Sequence, residues 1–330
     1  MRGATGAGRR ILQGCFLKSQ KISNLRNAMT SKPLLIGFVC AITTVILWSG
    51  NFVVARGLNE AIPPISLAFW RWVVAIVFLL PFAIKPLMAQ KSWLKENIGY
   101  LSLVSFLGVT LFNSFIYYAA QSSSAINLSL IAITFPIFVL ILSRIFLKEI
   151  IGWNKFVGII LVLMGVFLLV SKGDVSVLTG LTFAQGDLWM LLAALIFAVY
   201  SMLLKHKPVG IDVSAFQLAS FILGLLFLLP FYLLELYLVP IETVSGSVVL
   251  SILYVGVCSS FLAYLLWTKA IALIGAVNAG MMYYSMPIFS GILAILILDE
   301  KLIGLHVYSA ILILLGILLA VIYKPKTLRQ

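Results

Sequence analysis

An internal repeat constrains the fold of this chain more than any other feature. The stretch Ala119–Gly165 recurs as Ala270–Gly316, 151 positions later. Read without gaps, the two copies agree at residue types that are scarce in apolar sequence. These pairs are Asn127 with Asn278, Pro136 with Pro287, and Glu149 with Glu300. Leu and Ile coincide easily, but agreement at Asn, Pro and Glu indicates a duplication.

The repeat extends towards the start of the chain at a slightly different offset. Leu79–Phe82 resembles Leu228–Phe231, 149 positions later. Each copy then holds five apolar segments, and because five is odd, the second copy enters a membrane from the opposite side. The sequence therefore predicts inverted repeats, an architecture that many secondary transporters use, with the solute site near the midplane.

Composition places the chain in a membrane. Of its 330 residues, 62% are hydrophobic and 10% are charged, and the mean hydropathy is +1.15. Soluble domains carry roughly 25% charged residues. Cys15, Cys40 and Cys258 are scattered and have no zinc or redox spacing, so we expect no disulfide, no metal and no cofactor.

The apolar runs are each near the ~20 residues that a helix needs to cross a bilayer. They predict an all-α integral membrane protein with ten helices, at 34–55, 65–85, 98–119, 123–145, 152–171, 186–205, 213–237, 247–269, 275–298 and 303–323. The third and fourth share one charge-free run, and the cluster Gln121–Ser124 favours a turn between them.

The ends of the chain are polar and basic. Residues 1–33 form a basic leader, which fits a disordered cytoplasmic tail, an extension upstream of a start at Met29, or an organelle presequence. Residues 324–330 form a tail. With the leader inside, nearly all loop Lys and Arg residues are cytoplasmic, which satisfies the positive-inside rule. The net charge of +13 thus reflects topology, and no basic patch interleaved with aromatics points to nucleic acid.

Three rival classes of function remain beside a carrier. An enzyme needs a catalytic constellation, and the sequence shows no acid pair with His, nucleophile motif, phosphate loop or metal set. A channel needs a polar stripe along one helix face, whereas polar positions here are isolated. A receptor or assembly protein that transports nothing stays open.

Polar residues at membrane depth are costly and mark cavities or partners. Arg71 is about six residues into the predicted second helix and suits a bidentate contact with a carboxylate, or else reaches the headgroups or braces a helix. Asn51, Asn113 and Asn278 lie inside predicted helices, where an amide serves a solute or an interhelical hydrogen bond. We predict that all four bind substrate, and that Asn127 is a gating residue.

Aromatic residues recur at similar predicted depth on several helices. They are Trp48, Tyr117, Tyr200, Tyr264, Trp267, Tyr283 and Tyr284. Such residues build an apolar box with polar tips, or else an interfacial belt. We predict a binding role for Trp48 and for the tyrosines at 117, 200, 264 and 283, whereas Trp267, near a helix end, favours the belt.

Prolines and acids at repeat positions predict the mechanics. Pro136 and Pro287 remove a hydrogen bond in mid-helix and so predict symmetric hinges. Glu149 and Glu300, at the ends of those helices, have a predicted structural role. Apart from Glu235, every acid falls at a helix end or in a loop, which favours facilitated or exchange transport over a buried proton relay.

A family resemblance rests on several of these residues together. They are the run Leu47–Phe52, Arg71 between Trp70 and Trp72, the stretch Ser122–Asn127, Pro136 and Glu149 with Gly158 and Gly165, and Pro287, Glu300 and Gly316. Over about residues 34–323 the chain resembles the EamA-type branch of the drug/metabolite transporter superfamily. The second repeat departs at Phe197, where the first has Trp48, and at Ser309, where the first has Gly158.

The resemblance implies two inverted EamA repeats, 34–171 and 186–323, with both termini cytoplasmic in an inner or plasma membrane. It implies a carrier of small organic solutes, such as amino acids and related metabolites, with nucleoside-like cofactors such as S-adenosylmethionine, or drugs, as alternatives. Expected partners are the solute and the bilayer, without nucleic acid, and the chain is expected to be a monomer or weak homodimer.

Overall fold

The computed structural model describes residues 32–51, 54–55, 57–58, 61–123, 128, 131–148, 152–171, 185–239, 245–286, 288–289, 292–293 and 304–322. This part of the chain folds into helices joined by turns. The helices are α1 Lys32–Asn51, α2 Pro64–Ala89, α3 Ile98–Ser122, α4 Thr134–Phe146, α5 Trp153–Ser171, α6 Gln185–Lys205, α7 Val213–Leu238, α8 Gly246–Tyr283 and α9 Gly304–Ile322, with a short helix Lys91–Glu96 before α3.

The helices are long and apolar enough for a membrane protein. Within the described residues, six helices reach the length and hydropathy of a membrane span, and α4, α5 and α9 contain shorter apolar stretches. Large apolar side chains face outward, among them Phe82, which is 71% exposed. An outer surface of this kind suits lipid, since lipid rather than water is the surrounding solvent. The exact count of ten spans stays a prediction.

Two predicted helix boundaries are confirmed. Helix α3 ends at Ser122, and Ser123 takes an extended conformation, so the charge-free run breaks inside the serine cluster. Helix α8 joins the predicted eighth and ninth helices, but Gly275 has φ +78° and interrupts it. Only glycine adopts that conformation freely, so Gly275 permits the change of direction between two apolar arms.

Equivalent residues of the two repeats touch each other in the core. The Trp48 ring centroid lies 5.2 Å from that of Phe197, and the Trp72 centroid lies 4.7 Å from that of Phe221. Both pairs are separated by 149 positions. Contacts between equivalent positions occur where an internal twofold axis passes, so the axis that relates the two repeats runs through this core.

Helices α5 and α9 show the same symmetry in their close packing. A Cβ added to Gly158 would lie 2.6 Å from Gly316 O, and one added to Gly165 would lie 2.9 Å from Ser309 O. Gly158 and Ser309 are repeat partners, as are Gly165 and Gly316. The pair is therefore antiparallel, as inverted repeats require, and small residues allow close approach of the two backbones.

The helix breaks lie about one helical turn before the prolines that the sequence predicts as hinges. Pro136 lies in the first turn of α4 after a turn at Ile133, so the prediction that it interrupts mid-helix is wrong. A proline fits that position because first-turn N–H groups have no partner within the helix. In the second repeat the equivalent turn comes at Tyr284, while Pro287 itself lies outside the described residues.

Hydroxyl groups satisfy the backbone at both of these turns. Thr134 Oγ1 donates to Ile131 O at 2.6 Å, and Ser285 Oγ donates to Met282 O at 2.7 Å. The donors are repeat partners, as are the acceptors. The two breaks are therefore built by the same local chemistry.

Carboxylates cap two helix N-termini. The Glu235 carboxylate, near the end of α7, accepts hydrogen bonds from Ile65 N at 3.0 Å and Ser66 N at 2.6 Å, so it caps α2. Asp212 caps α7, and the hydrogen bond from Ser214 lowers the pKa of its carboxyl group. Glu235, the one acid that the sequence places within a span, thus ties α7 to α2.

Candidate functional site

A fully buried arginine forms the centre of the candidate site. Arg71, on α2, is 1% exposed. Its Nη1 donates to Asn113 Oδ1 at 2.6 Å and to Tyr117 Oη at 2.7 Å, and its Nε donates to Ser260 Oγ at 2.7 Å. Asn51 Oδ1 is 3.5 Å from Nη1 and accepts from Tyr117 Oη at 3.1 Å. These five residues, from α1, α2, α3 and α8, are here called the Arg71 cluster.

The sequence predicted four members of this cluster. Arg71, Asn51, Asn113 and Tyr117 were proposed separately as substrate residues, and the structure brings them together. The interpretation that Arg71 reaches the headgroups is wrong, since its guanidinium faces the protein interior. The two neighbouring tryptophans differ in burial: Trp70 is exposed, whereas Trp72 is buried. The guanidinium carbon of Arg71 lies 5.2 Å from the Trp72 ring centroid.

The positive charge of Arg71 has no anionic hydrogen-bond partner among the described residues. Every hydrogen bond that Arg71 makes to a described residue goes to a neutral oxygen. Its Nη2 has one long contact, 3.4 Å, with Ser259 O. A guanidinium has five N–H donors and stays charged, so this group retains donor capacity in an apolar surrounding. A buried cation is stable only when charge and hydrogen bonds compensate its desolvation.

Local irregularities of α3 and α8 position the polar groups. Both helices contain a π-helical segment, Phe106–Leu111 in α3 and Val255–Leu262 in α8. Asn113 and Tyr264 each follow their segment by two residues, and they are repeat partners, 151 positions apart. Asn113 Nδ2 donates to Tyr264 Oη at 2.8 Å, and Tyr264 Oη donates to Gly108 O at 2.7 Å. Insertions of this kind recur at functional sites.

An aromatic group surrounds Trp48 beside the Arg71 cluster. The centroid of Trp48 lies 5.9 Å from Tyr264, 5.1 Å from Trp267 and 6.3 Å from Tyr283. Its Nε1 donates to Ser259 O at 2.9 Å, which joins the aromatic group to the polar one. Four members of the predicted aromatic box therefore pack together, its binding role stays a prediction, and the interpretation of Trp267 as an interfacial residue is wrong because it is fully buried.

The remaining predicted residues lie elsewhere. Tyr200 is buried, and its ring centroid lies 5.5 Å from that of Phe197 and 6.0 Å from that of Tyr264. Asn278 does not contact the Arg71 cluster: its Nδ2 donates to Ile274 O at 2.8 Å, across the break at Gly275. Four predicted positions lie outside the described residues. They are Asn127, Glu149, Pro287 and Glu300.

Sequence reasoning missed several residues of this region. Phe197 and Phe135 complete the aromatic group, with centroids 5.0 Å apart, and Ser260 binds Arg71. From the sequence, Phe197 stands out only as a departure from its repeat partner Trp48. Gln217, fully buried on α7, carried the clearest signal, since an amide is costly within an apolar run.

A cavity opens at the predicted outer end of α2, α3 and α7. It has a volume of about 1130 Å³ and a largely apolar lining. The polar side chains on its wall are Thr110, Ser114, Gln121, Ser245 and Glu235. Ser114 is adjacent in sequence to Asn113, so this cavity extends along α3 to the depth of the Arg71 cluster.

Comparison with known proteins places the chain in a family. A model of the EamA-like transporter family matches residues 35–171 and 184–322. An uncharacterized transporter of Archaeoglobus fulgidus is 30% identical, over 78% of this chain and 88% of its own. The uncharacterized transporter YyaM of Bacillus subtilis is 25% identical, over 85% of this chain and 92% of its own.

A solved crystal structure agrees in fold. Its TM-score is 0.67, and the match covers 88% of this chain and 97% of that one. At 20% sequence identity this similarity shows the fold alone. The family model covers both halves of the chain in the register of the internal repeat, and the relatives are transporters by name. The chain belongs to the EamA-like transporter family.

Proposed function

We propose that this protein is a secondary carrier, not an enzyme, that moves a small carboxylate-bearing organic solute, such as an amino acid or a related metabolite. The solute binds between the two repeats and access alternates between the two membrane faces. The multi-pass chain resides in an inner or plasma membrane with both termini cytoplasmic, as the distribution of basic residues favours.

The single observation that carries this proposal is the buried charge of Arg71. Its partners among the described residues are neutral, and its Nη2 is weakly bonded. A carboxylate has the geometry to accept two parallel hydrogen bonds from a guanidinium, and such pairs are about twice as strong as neutral ones. An anionic solute is therefore a better partner for Arg71 than a cationic or neutral one.

The surroundings of Arg71 fit a site that alternates. The Arg71 cluster draws on α1, α2 and α3 from the first repeat and α8 from the second. Any rocking of one repeat against the other changes the separation of Arg71 from Ser260. The hydroxyl-capped turns at Ile133 and Tyr284 are matching helix breaks, at which such a movement would bend the helices.

The test measures uptake into proteoliposomes that contain the purified protein. The solutes are labelled amino acids, their carboxamide derivatives, nucleosides, S-adenosylmethionine and a cationic drug. We expect saturable uptake of a carboxylate solute, weak uptake of its carboxamide, and loss of this preference in Arg71→Gln. Two charge-assisted hydrogen bonds are worth about 3 kcal/mol or more, which predicts a loss of at least about 100-fold.

The matched control is Arg144→Gln, which removes the same charge at an exposed position at the end of α4. We expect it to transport as the parent protein does. Uptake of cationic or neutral solutes that Arg71→Gln leaves unchanged would keep the carrier and overturn the carboxylate contact. A folded protein that transports no solute of the panel would favour a receptor or assembly role.

A further inference from the structure

A second buried polar cluster lies where the internal symmetry places the counterpart of Arg71. The residue 149 positions after Arg71 is Ser220, on α7. Gln217 lies on the same face of α7, three residues earlier, and accepts a hydrogen bond from Thr268 Oγ1 at 3.1 Å. Thr268 is the repeat partner of Tyr117, 151 positions earlier, and Tyr200 faces Gln217 and Thr268. Gln217, Ser220, Thr268 and Tyr200 are here called the Gln217 cluster.

Hydrogen bonding in the Gln217 cluster is incomplete. Among the described residues, Ser220 Oγ has no hydrogen-bond partner, and Gln217 Nε2, whose side chain faces Tyr200, reaches no acceptor with hydrogen-bond geometry, although these residues are 1% and 0% exposed. A buried polar atom without a partner costs about 1–3 kcal/mol, so such atoms are rare and need an explanation. Two of them, three residues apart on one helix face, mark a place that a polar group of another molecule can occupy.

The two clusters both lie next to one aromatic side chain, that of Tyr264. Tyr264 Oη accepts from Asn113 in the Arg71 cluster, and the Tyr264 ring centroid lies 6.0 Å from that of Tyr200 in the Gln217 cluster. Trp72 and Phe221 pack against the same ring, at 5.1 Å and 5.9 Å. A charged group, a set of apolar rings and a neutral polar group therefore lie close together around Tyr264.

We propose that the Gln217 cluster is a second solute subsite, which binds a neutral hydrogen-bond acceptor at the end of the solute opposite its carboxylate. Gln217 Nε2 donates to that acceptor and Ser220 Oγ donates or accepts beside it. Because the Gln217 cluster lacks a charge and the Arg71 cluster has one, the solute binds in one orientation. This inference rests on the proposed carrier function and adds the residues that set its specificity.

The experiment compares two solutes that differ by one acceptor oxygen, L-methionine and L-methionine sulfoxide, as competitors of uptake of a labelled amino acid. We expect the parent protein to prefer the sulfoxide, and Gln217→Leu to reduce that preference at least about tenfold, because a site built to bind a polar group discriminates against an analogue lacking it. Ser220→Ala should act in the same direction. Ser105→Ala is the matched control, since Ser105 is buried but bonded to Leu101 O of its own helix.

A stability measurement separates a subsite from a structural role. Because Gln217→Leu also removes the acceptor of Thr268 Oγ1, the stability test uses Gln217→Leu together with Thr268→Val, which leaves neither the amide nor the hydroxyl behind, and we expect the melting temperature of this double variant to equal or exceed that of the parent. A lower melting temperature with an unchanged preference would assign Gln217 to packing and overturn the subsite.

The two proposals fail in different ways. An unchanged preference in Gln217→Leu, beside lost uptake in Arg71→Gln, overturns the subsite and leaves the carrier. Unchanged uptake in Arg71→Gln overturns the carboxylate contact, while the preference in Gln217→Leu is still measured. If nothing is transported, the shift in melting temperature that each competitor induces gives the same comparison, and the absence of a larger shift with the sulfoxide overturns the subsite.

Discussion

The Arg71 cluster and the Gln217 cluster occupy equivalent places in the two repeats, yet their chemistry differs. In the first, a guanidinium is held by the oxygens of Asn113, Tyr117 and Ser260. In the second, Ser220 stands at the position of the arginine, and its hydroxyl has no partner in the part of the chain that the structure describes. The backbone frame has kept its symmetry while the side chains facing the centre have diverged. A symmetric frame suits alternating access, and an asymmetric lining suits a solute with two unlike ends.

Exchanging Arg71 and Ser220 is the most direct test of the difference between the two clusters. Arg71→Ser should lower uptake of a carboxylate solute at least about 100-fold, and adding Ser220→Arg should not restore it. The transferred guanidinium would meet Thr268 and Gln217 in place of the Asn113 and Tyr117 acceptors, and an uncompensated buried charge is destabilising by about 3–5 kcal/mol. Uptake and melting temperature of both variants check this.

The outcome that contradicts the exchange prediction is recovery. If the double variant transports within about tenfold of the parent, the two clusters are interchangeable and their divergence has no functional meaning. A melting temperature equal to that of the parent would likewise show that the second cluster accommodates a cation.

A carboxylate added inside the Arg71 cluster sharpens the comparison. Asn113→Asp places an anion where Asn113 Oδ1 lies 2.6 Å from Arg71 Nη1, so the variant carries its own partner for the guanidinium. We expect the apparent affinity for a carboxylate solute to fall roughly tenfold or more, while thermal stability is kept. Competition binding and a melting curve measure the two effects.

The control for this variant is Asn113→Leu. It removes an acceptor from a buried cation without offering a charge, so thermal stability should fall. If Asn113→Asp binds the solute as the parent does, the carboxylate of the solute is not bound beside Asn113.

The predicted outer and inner ends of α7 and α2 also have equivalent backbone positions with different side chains. Glu235 ties α7 to the start of α2, whereas the equivalent position in the first repeat is Pro86, 149 residues earlier. The predicted outer end thus has a carboxylate clamp that its inner counterpart lacks. Glu235→Gln should weaken the contact between α7 and α2 by about 1–2 kcal/mol, a shift of roughly 5–30-fold in the population in which these two helix ends separate.

The measurement is thiol labelling of a cysteine introduced as Tyr118→Cys in a background free of other cysteines, because Tyr118 lines the outer cavity. Labelling should accelerate in Glu235→Gln. Glu96→Gln, an exposed acid at the predicted inner end, should leave the labelling rate unchanged. Equal rates in Glu235→Gln and the parent would show that the clamp does not limit the separation of α7 from α2.

The frame was readable from the sequence because it depends on patterns that recur. The offset of about 150 positions gave the pairing of Trp48 with Phe197, and the serine cluster gave the end of α3. Contacts across the symmetry axis were not readable, since they depend on which face of each helix turns inward. The π segments decide this for Asn113 and Ser260, and nothing in the local composition marks a π segment.

The site was predicted unevenly for the same reason. Arg71 and Asn51 stand out because charged and amide groups are rare in apolar runs. Asn278 has the same rarity but serves a helix break, and Gln217 was overlooked although it satisfies the same criterion. Residue type thus identifies groups that are costly to bury, whereas only packing shows whether such a group has a hydrogen-bond partner, as Asn278 has, or lacks one among the described residues, as Gln217 Nε2 does.

The smallest expected effects come from the two turns, where the repeats agree in chemistry as well as in frame. Thr134→Val and Ser285→Ala each remove one hydroxyl that donates a hydrogen bond to a backbone carbonyl at a helix break. The backbone angles at the two breaks are nearly the same, φ −68° and ψ −15° at Ile133 and φ −61° and ψ −16° at Tyr284. Each change should lower the free energy of unfolding by about 0.5–1.5 kcal/mol, and by equal amounts. Denaturation in detergent measures both, with Ser105→Ala as a hydroxyl loss away from the turns. Equal losses of stability would mean that the two turns have kept the symmetry that alternating access requires. The divergence of the repeats would then be confined to the two polar clusters. A clear inequality would place divergence in the moving parts as well, and asymmetry of the solute site would no longer suffice to explain it.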